Sequence, residues 1–344
     1  MEEDLVEPPA ALCPGVARPS AWRGEAGPGR ITLRISVTDR CELRCIHCTP
    51  AEGVERLAPA QVLRSEDILR FVRLIKAHFR ITKVHLTGGE PLDRPDIIRL
   101  VGLLAAEGIE DLAMTTSGQS LAELATDLKH AGLQRINVSL FSLEPRRFRQ
   151  LTGGGELGRT LKGINAALDA GLAPVKCNTP VLRGMNDQEV AALARWGIAR
   201  GVQVRFIELM PIGPAAKRHR DWFVSSEESL ALLRDHFDME PLPPVPGSSC
   251  REFRIMDAGL MGVVGVISSC TKPFCAGCRR LRLTAGGELV GCLARNSRSS
   301  VHALLQADGP LDEREVLSRV RAVMQQKRTH HAFVDNHLMV RTGG

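Results

Sequence analysis

The sequence predicts an α/β protein: a partial, open (β/α)6 barrel of the TIM type, followed by a C-terminal α+β cap. Three observations carry that expectation. From Ile31 to about Leu209, six short runs of β-branched and apolar residues alternate with helix-periodic segments. Four of the helical segments are followed by glycine (Gly108, Gly132, Gly171 and Gly201), the residue that most readily adopts the left-handed conformation of a helix C-cap. After Pro211 the alternation stops and turn-bounded runs take over. Repeats of this kind imply parallel strands with right-handed crossovers, and six units rather than eight leave the barrel open. Chemistry in such barrels gathers at the C-terminal ends of the strands.

Residues 1–29, rich in Pro, Gly and Ala, read as a disordered lead-in, with the barrel over 30–215 and the C-terminal region over 216–344. The first strand is Ile31–Val37. Helix Ser65–Phe79 follows, with Ser65 placed to cap it and Ile68, Phe71, Val72 and Ile75 on one face. The remaining barrel strands are Lys83–Leu86, Asp111–Thr115, Arg135–Leu140, Pro174–Asn178 and Gln203–Ile207. Between them lie helices Pro95–Glu107, Leu121–Ala131, Leu157–Ala170 and Asp187–Ala199. In the C-terminal region Ser225–Phe237 reads as a helix. Arg251–Met256, Gly262–Ile267 and Leu281–Val290, the last folded at Ala285-Gly286-Gly287, read as antiparallel strands. A final helix is expected over Asp312–Gln326, and the whole region is expected to cover the open barrel mouth.

Composition narrows the class. A chain of 344 residues that is 44% hydrophobic can bury a large core. No apolar run reaches the ~18–20 residues of a membrane span. The N-terminus, MEEDLVEPPAALCPG, is acidic and proline-broken, unlike a signal peptide. These features point to the cytoplasm and away from membranes. The formal charge of +6 suits an anionic substrate but is too small and dispersed to argue for nucleic acid. Of ten cysteines, six fall into two tight sets, a pattern of metal binding in a reducing compartment.

The first set, Cys41-x3-Cys45-x2-Cys48, follows the first strand and so lies on the expected catalytic face. Three thiolates can hold three irons of a cubane cluster and leave the fourth open to a substrate or cofactor. A zinc site or three unrelated buried cysteines are the alternatives. Thr87-Gly88-Gly89-Glu90-Pro91 closes the second strand. Its glycines allow close backbone approach to a ligand, and the Glu90 carboxylate can accept from an ammonium. The second set is Cys275-x2-Cys278-x13-Cys292, interleaved with Arg279, Arg280 and Arg282. It reads either as a second three-thiolate cluster, with guanidinium groups suited to a polyphosphate, or as a zinc ribbon completed by Cys270 or His302. The chain ends in Gly343-Gly344, which by itself reads as a frayed terminus.

The segments RISVTDRCELRCIHC, HLTGGEPLDRPD, AMTTSG, INVSLFSL, RFIELMPIG, PFCAGCRRLRLTAGGELVGCL and the final Gly-Gly run from about Arg30 to Gly344. Together they resemble the GTP 3′,8-cyclase family of molybdenum cofactor biosynthesis, within the radical S-adenosylmethionine (SAM) enzymes. The resemblance implies two [4Fe–4S] clusters and SAM as cofactors, with a 5′-deoxyadenosyl radical made by one-electron cleavage of SAM. It implies that Cys41, Cys45 and Cys48 hold the SAM cluster, and that Cys275, Cys278 and Cys292 hold a second cluster that meets the guanine. It places His47, Gly89, Glu90, Ser139 and Met210 at SAM, and Arg34, His85, Thr115, Lys176, Arg280, Leu281 and Arg282 at GTP. It carries Arg341, Gly343 and Gly344 into the active site for turnover.

Four residues depart from the family pattern. His47 replaces an aromatic residue, commonly Tyr. His85 replaces an Arg that contacts GTP, and as a mostly neutral group would weaken a phosphate contact. Ser117 and Phe141 replace an Asn and an Asp. The reading implied is conversion of GTP to 3′,8-cyclo-7,8-dihydro-GTP. Its partners are GTP, a flavodoxin-like or ferredoxin-like electron donor and the next enzyme of the pathway, and it allows a homodimer. The alternatives are a divergent radical SAM enzyme acting on another substrate, such as a peptide, and a zinc-binding interaction protein.

Overall fold

The computed structural model describes residues 29–245, 247–295, 297–327 and 333. The barrel strands are β1 (Arg30–Ser36), β2 (Arg80–Thr87), β3 (Leu112–Thr116), β4 (Arg135–Ser139), β5 (Val175–Val181) and β6 (Gln203–Glu208). The helices between them are α1 (Ser65–His78), α2 (Ile97–Ala106), α3 (Leu121–His130), α4 (Pro145–Thr152), α5 (Leu157–Asp169) and α6 (Val190–Ile198). Beyond them come α7 (Pro214–Trp222), α8 (Ser226–Arg234), β7 (Asp238–Pro241), β8 (Arg251–Asp257) and β9 (Leu260–Ile267). The last elements are β10 (Arg280–Leu283), β11 (Glu288–Val290), β12 (Arg298–Ser300), α9 (His302–Gln306) and α10 (Glu313–Gln325).

All six expected βα units form, and β1 to β6 are parallel neighbours in chain order. The four glycines behind the helices have φ of 67°, 105°, 74° and 65°, a conformation that a side chain resists. Ser65 does not cap α1. Its hydroxyl donates to Asp96 at 2.6 Å, and the Asp67 carboxylate instead accepts from the Arg64 backbone N–H at 3.0 Å. Three helices are not legible in the sequence: α4, α7 and the five-residue α9. In α4 only Phe148, Leu151 and Thr152 are buried, and in α7 only Ala215, so neither carries a long apolar stripe. Local capping sets α4: Glu144 accepts from the N–H groups of Arg146 and Arg147, and Gly153 ends the helix with φ 66°.

The C-terminal strands extend the barrel sheet at both edges. Among the described residues the order is β12-β11-β10-β1-β2-β3-β4-β5-β6-β9-β8-β7. The expected antiparallel pairings occur at β8–β9 and β10–β11, but β10 also runs parallel to β1, and β9 parallel to β6. This changes where the cap sits. Cys275 and Cys278 precede β10, and Cys292 follows β11, which returns antiparallel to it. All three therefore lie at the N-terminal end of the barrel strands, opposite the Cys41 loop. The region is therefore no single cap over the mouth: its strands extend both edges of the sheet and put the second cysteine set at the foot, while α7 packs beside the Cys41 loop. The main core lies between strands and helices, around Phe71, Phe206, Leu33, Ile35 and Leu100.

Candidate active site

One cavity of about 1170 Å³ runs along the barrel interior, and both cysteine sets line it. At the top, the loop after β1 is zipped to the loop after β2. The Gly89 N–H donates to the Thr38 carbonyl and the Glu90 N–H to the Arg40 carbonyl, each at 2.7 Å. A Cβ on Gly89 would overlap the Arg40 carbonyl, so glycine is required here by close backbone approach. Glu90 is 2% exposed, and burial raises its carboxyl to about 7. Its oxygens accept from the Leu92 N–H (3.1 Å), the Thr116 hydroxyl (2.6 Å) and the Ser117 N–H (2.6 Å). Glu90 thus ties β2 to β3, a bracing role that its motif alone did not disclose.

This zipper yields the first prediction. Gly89→Ala forces one loop away from the other, at a cost of about 1–3 kcal/mol typical of overpacking. The reconstituted variant should lose iron from the N-terminal set and most SAM cleavage. Wild-type iron content together with wild-type 5′-deoxyadenosine formation would show that the close approach is dispensable.

Burial holds the Cys41 thiol up at about 12, Cys48 at about 11 and Cys45 well above the usual range. Such thiols ionise only when positive charge arrives, which a metal group supplies. At the foot, burial opposes ionisation of Cys278. The Lys327 ammonium, 3.4 Å from its sulfur, and the Arg280 guanidinium nevertheless bring it down to about 7. Among the described residues no three His, Cys, Asp or Glu side chains converge on a point, as a single-ion site requires. The thiols line the cavity wall, a placement suited to ligands that hold separate corners of a larger group.

Between the two sets, strand alternation builds a cationic wall. Leu33 and Ile35 point into the core, while Thr32 and Arg34 face the cavity. The same period of two turns Arg280 and Arg282 inward and leaves Leu281 fully buried in the core. The Leu281 side chain is thus no substrate contact, which corrects that expectation. Register sets Arg34 between His85 and Arg282. It also sets Asn137 between Thr115 and Lys176, and Asn178 between Ser139 and Arg205.

Burial, and then repulsion from Arg282, Arg280 and Arg205, lowers the Arg34 guanidinium well below its usual range. Burial, then Arg280, brings Arg282 to about 10. Lys176 is paired with Glu252 at 3.3 Å, and Arg135 and Lys83 share Asp111. Arg282 has no carboxylate partner among the described residues, and its Nε, like Arg205 Nε, Asn137 Oδ1 and Asn178 Oδ1, is buried without a hydrogen bond. Crowded cations and idle polar atoms fit an anionic, hydrogen-bonding ligand.

His47, Ser139 and Met210 line the cavity with the first cysteine set. The His47 ring meets Phe141 edge-on at 5.3 Å, and Phe141 stacks on Phe148 at 6.4 Å. Two departures from the family pattern are therefore contact partners. Burial lowers His47 to about 4, so it acts as a neutral ring. His85 is also held neutral, by burial first and Arg34 second. Its Nε2 lies 2.7 Å from the Thr115 hydroxyl and 3.2 Å from Asn137 Nδ2. Ser117 donates to Glu42 at 3.0 Å. Arg341, Gly343 and Gly344 lie outside the described residues. Sequence reasoning missed Arg205, Asn137 and Asn178, although inward alternation with Ser139 and Lys176 would have found Asn137 and Asn178.

A family model described as the radical SAM superfamily matches residues 35–197, and one described as Molybdenum Cofactor Synthesis C matches residues 202–333. The chain is 41% identical over 323 residues to the GTP 3′,8-cyclase of Geobacter sulfurreducens, covering 91% of this chain and 96% of that one. It is 41% identical over 302 residues to GTP 3′,8-cyclase 1 of Pseudomonas aeruginosa, covering 88% and 91%. In fold it is similar to Streptococcus suis SuiB bound to S-adenosylmethionine. That likeness has a TM-score of 0.55 at 17% identity, over 82% of this chain and 66% of that one. Matched in sequence over nearly its whole length, the chain belongs to the GTP 3′,8-cyclase family of radical SAM enzymes.

Proposed function

We propose that this chain converts GTP to 3′,8-cyclo-7,8-dihydro-GTP, the first step of molybdenum cofactor biosynthesis. One observation carries the reading: a single cavity with a three-cysteine set at either end and a cationic wall between them. A substrate that spans it meets one metal group at each end. In this reading Cys41, Cys45 and Cys48 hold the SAM cluster, and Cys275, Cys278 and Cys292 the second. When bound, the first cluster and SAM supply the radical that takes the ribose C3′ hydrogen.

The protein positions and excludes water. Gly89, Ser139, Met210 and the His47–Phe141 pair shape the SAM pocket, and Glu90 keeps its loop in place. Arg34, Lys176, Arg205, Arg280 and Arg282 take the triphosphate. His85 and Thr115 offer neutral hydrogen-bonding groups rather than charge. The test is anaerobic reconstitution with iron and sulfide, then incubation with SAM, dithionite and GTP. About eight irons per chain are expected from two cubanes, with 5′-deoxyadenosine and a cyclised product of GTP's mass. SAM cleavage that leaves GTP unconsumed would overturn the substrate, and zinc in place of iron would overturn the chemistry.

Arg282 provides a second prediction, with two readouts of opposite sign. Arg282→Ala removes a charged hydrogen-bonding partner worth ~1.5–3 kcal/mol, so GTP affinity should fall roughly ten- to a hundredfold. The same change relieves the repulsion between Arg282 and Arg34, so the GTP-free protein should unfold at a higher temperature. An equal loss of affinity for guanosine, which has no phosphates, would remove Arg282 from phosphate binding.

A further inference from the structure

Helix α10 ends beside the second cysteine set. Val316, Val320, Val323 and Met324 form one buried stripe along it, and the Asp312 carboxylate caps its start by accepting from the Glu315 N–H at 3.0 Å. The helix packs against β11 and β12. Gly291, which joins β11 to Cys292, approaches the Val323 carbonyl so closely that a Cβ would overlap it. The last turn of the helix is thereby held against the loop that carries Cys292. Lys327 comes two residues after the helix ends, and its N–H donates to the Met324 carbonyl at 3.2 Å.

The Lys327 side chain turns to sulfur: its Nζ donates to Cys278 Sγ at 3.4 Å. The ammonium forms no ion pair with a carboxylate among the described residues. Nor does Lys327 line the cavity, whereas Cys278, Arg280 and Arg282 do. Burial opposes ionisation of Cys278, and Lys327 is the strongest influence in the other direction, ahead of Arg280. The same ammonium acts on Cys275, after burial and the two other sulfurs. A half-buried ammonium is costly unless a negative group faces it, and here the groups that can do so are thiolates. Its placement answers to the sulfurs and not to the substrate cavity.

We propose that Lys327 is a positioning residue acting through Cys278: its ammonium hydrogen-bonds the Cys278 sulfur and raises the reduction potential of the second cluster. The proposal rests on the radical SAM reading. One added electron makes the group held by Cys275, Cys278 and Cys292 one charge more negative. A fixed positive charge with an N–H donor at its sulfur favours that reduced state. Arg280 and Arg282 face the cavity and are open to a substrate's phosphates, while Lys327 stands behind the sulfur and acts whether or not substrate is present.

The test is a potentiometric titration of the reconstituted holoenzyme with dithionite, followed by electron paramagnetic resonance. The second cluster's signal is the one lost in Cys278→Ala, and the first cluster's signal serves as an internal reference. Lys327→Met removes both the charge and the donor. At a fixed potential the ratio of reduced to oxidised second cluster should fall about tenfold, a shift of about 59 mV to more negative values for a one-electron couple. Lys327→Arg keeps charge and donors and should stay close to wild type, and the first cluster should move in neither variant. Lys327→Gln, which keeps a neutral donor, should fall between them, and it is read in place of Lys327→Met if that variant does not hold the second cluster. An unmoved second potential in these variants would overturn the proposal. So would an equal shift at both clusters, which marks a general disturbance, or an arginine variant shifted as far as the methionine one, which makes the site one of shape and not of charge. Loss of the second cluster from Lys327→Gln as well would make Lys327 an assembly residue, and lost GTP affinity with both potentials unmoved would assign it to phosphate; either result overturns the proposal. A wild type with no iron–sulfur signal at all would instead defeat the radical SAM reading.

Discussion

Cys41→Ala should abolish SAM cleavage, with 5′-deoxyadenosine falling on the order of a thousandfold, the equivalent of about 4 kcal/mol in a barrier. Cys41 lines the cavity with Cys45 and Cys48, on a loop fixed by the Gly89 and Glu90 hydrogen bonds. Two thiolates hold a cubane too weakly to present an open iron. The second set lies at the other end of the strands and should keep its iron. Elemental analysis should therefore drop by about half relative to the two-cubane wild type. Deoxyadenosine at the wild-type rate would place the SAM cluster elsewhere.

The second large effect is expected at the C-terminus. Phe333 lines the cavity, and eleven residues follow it, ending in Gly343-Gly344. Eleven residues can span at most ~36–40 Å, enough to traverse the barrel interior. Removing Gly343 and Gly344 should leave folding, iron content and GTP binding intact while product falls on the order of a hundredfold, about 2.7 kcal/mol. A synthetic peptide of the last ten or so residues should restore part of the turnover, because an end supplied in trans loses only effective concentration. Full activity in the truncated protein would take the tail out of the reaction.

The departures from the family pattern show how a site can be partly legible. From the sequence, His47 and Phe141 are two separate substitutions. In the structure they touch, and Phe141 passes the contact on to Phe148. His85 replaces a cation but joins Thr115 and Asn137 in a neutral hydrogen-bonded group. Arg34, Arg205, Arg280 and Arg282 remain to supply positive charge. The substitution therefore changes the chemistry of one position and leaves the other cations of the wall in place. Leu281 shows the limit of a contiguous motif, whose side chains cannot all reach one cavity. A strand presents alternate residues to a cavity, so Arg280 and Arg282 reach it and Leu281 does not.

The six βα units, their parallel order, the two cysteine sets and the family are all legible in the chain before it folds. These features are local, or repeat at fixed spacing: apolar periodicity, glycine C-caps, and ligand residues within one short loop. The sequence did not determine that β9 and β10 join opposite edges of the barrel sheet, because strand pairing depends on partners sixty or more residues away, such as Val204 with Val264 and Thr32 with Arg280. That pairing alone sends the second cysteine set to the foot of the barrel, so that one cavity runs between the two cysteine sets. Nor did the sequence show the electrostatics. Burial and the mutual approach of guanidinium groups from three strands set the state of Arg34 and Arg282, and only the folded chain brings those groups to one cavity.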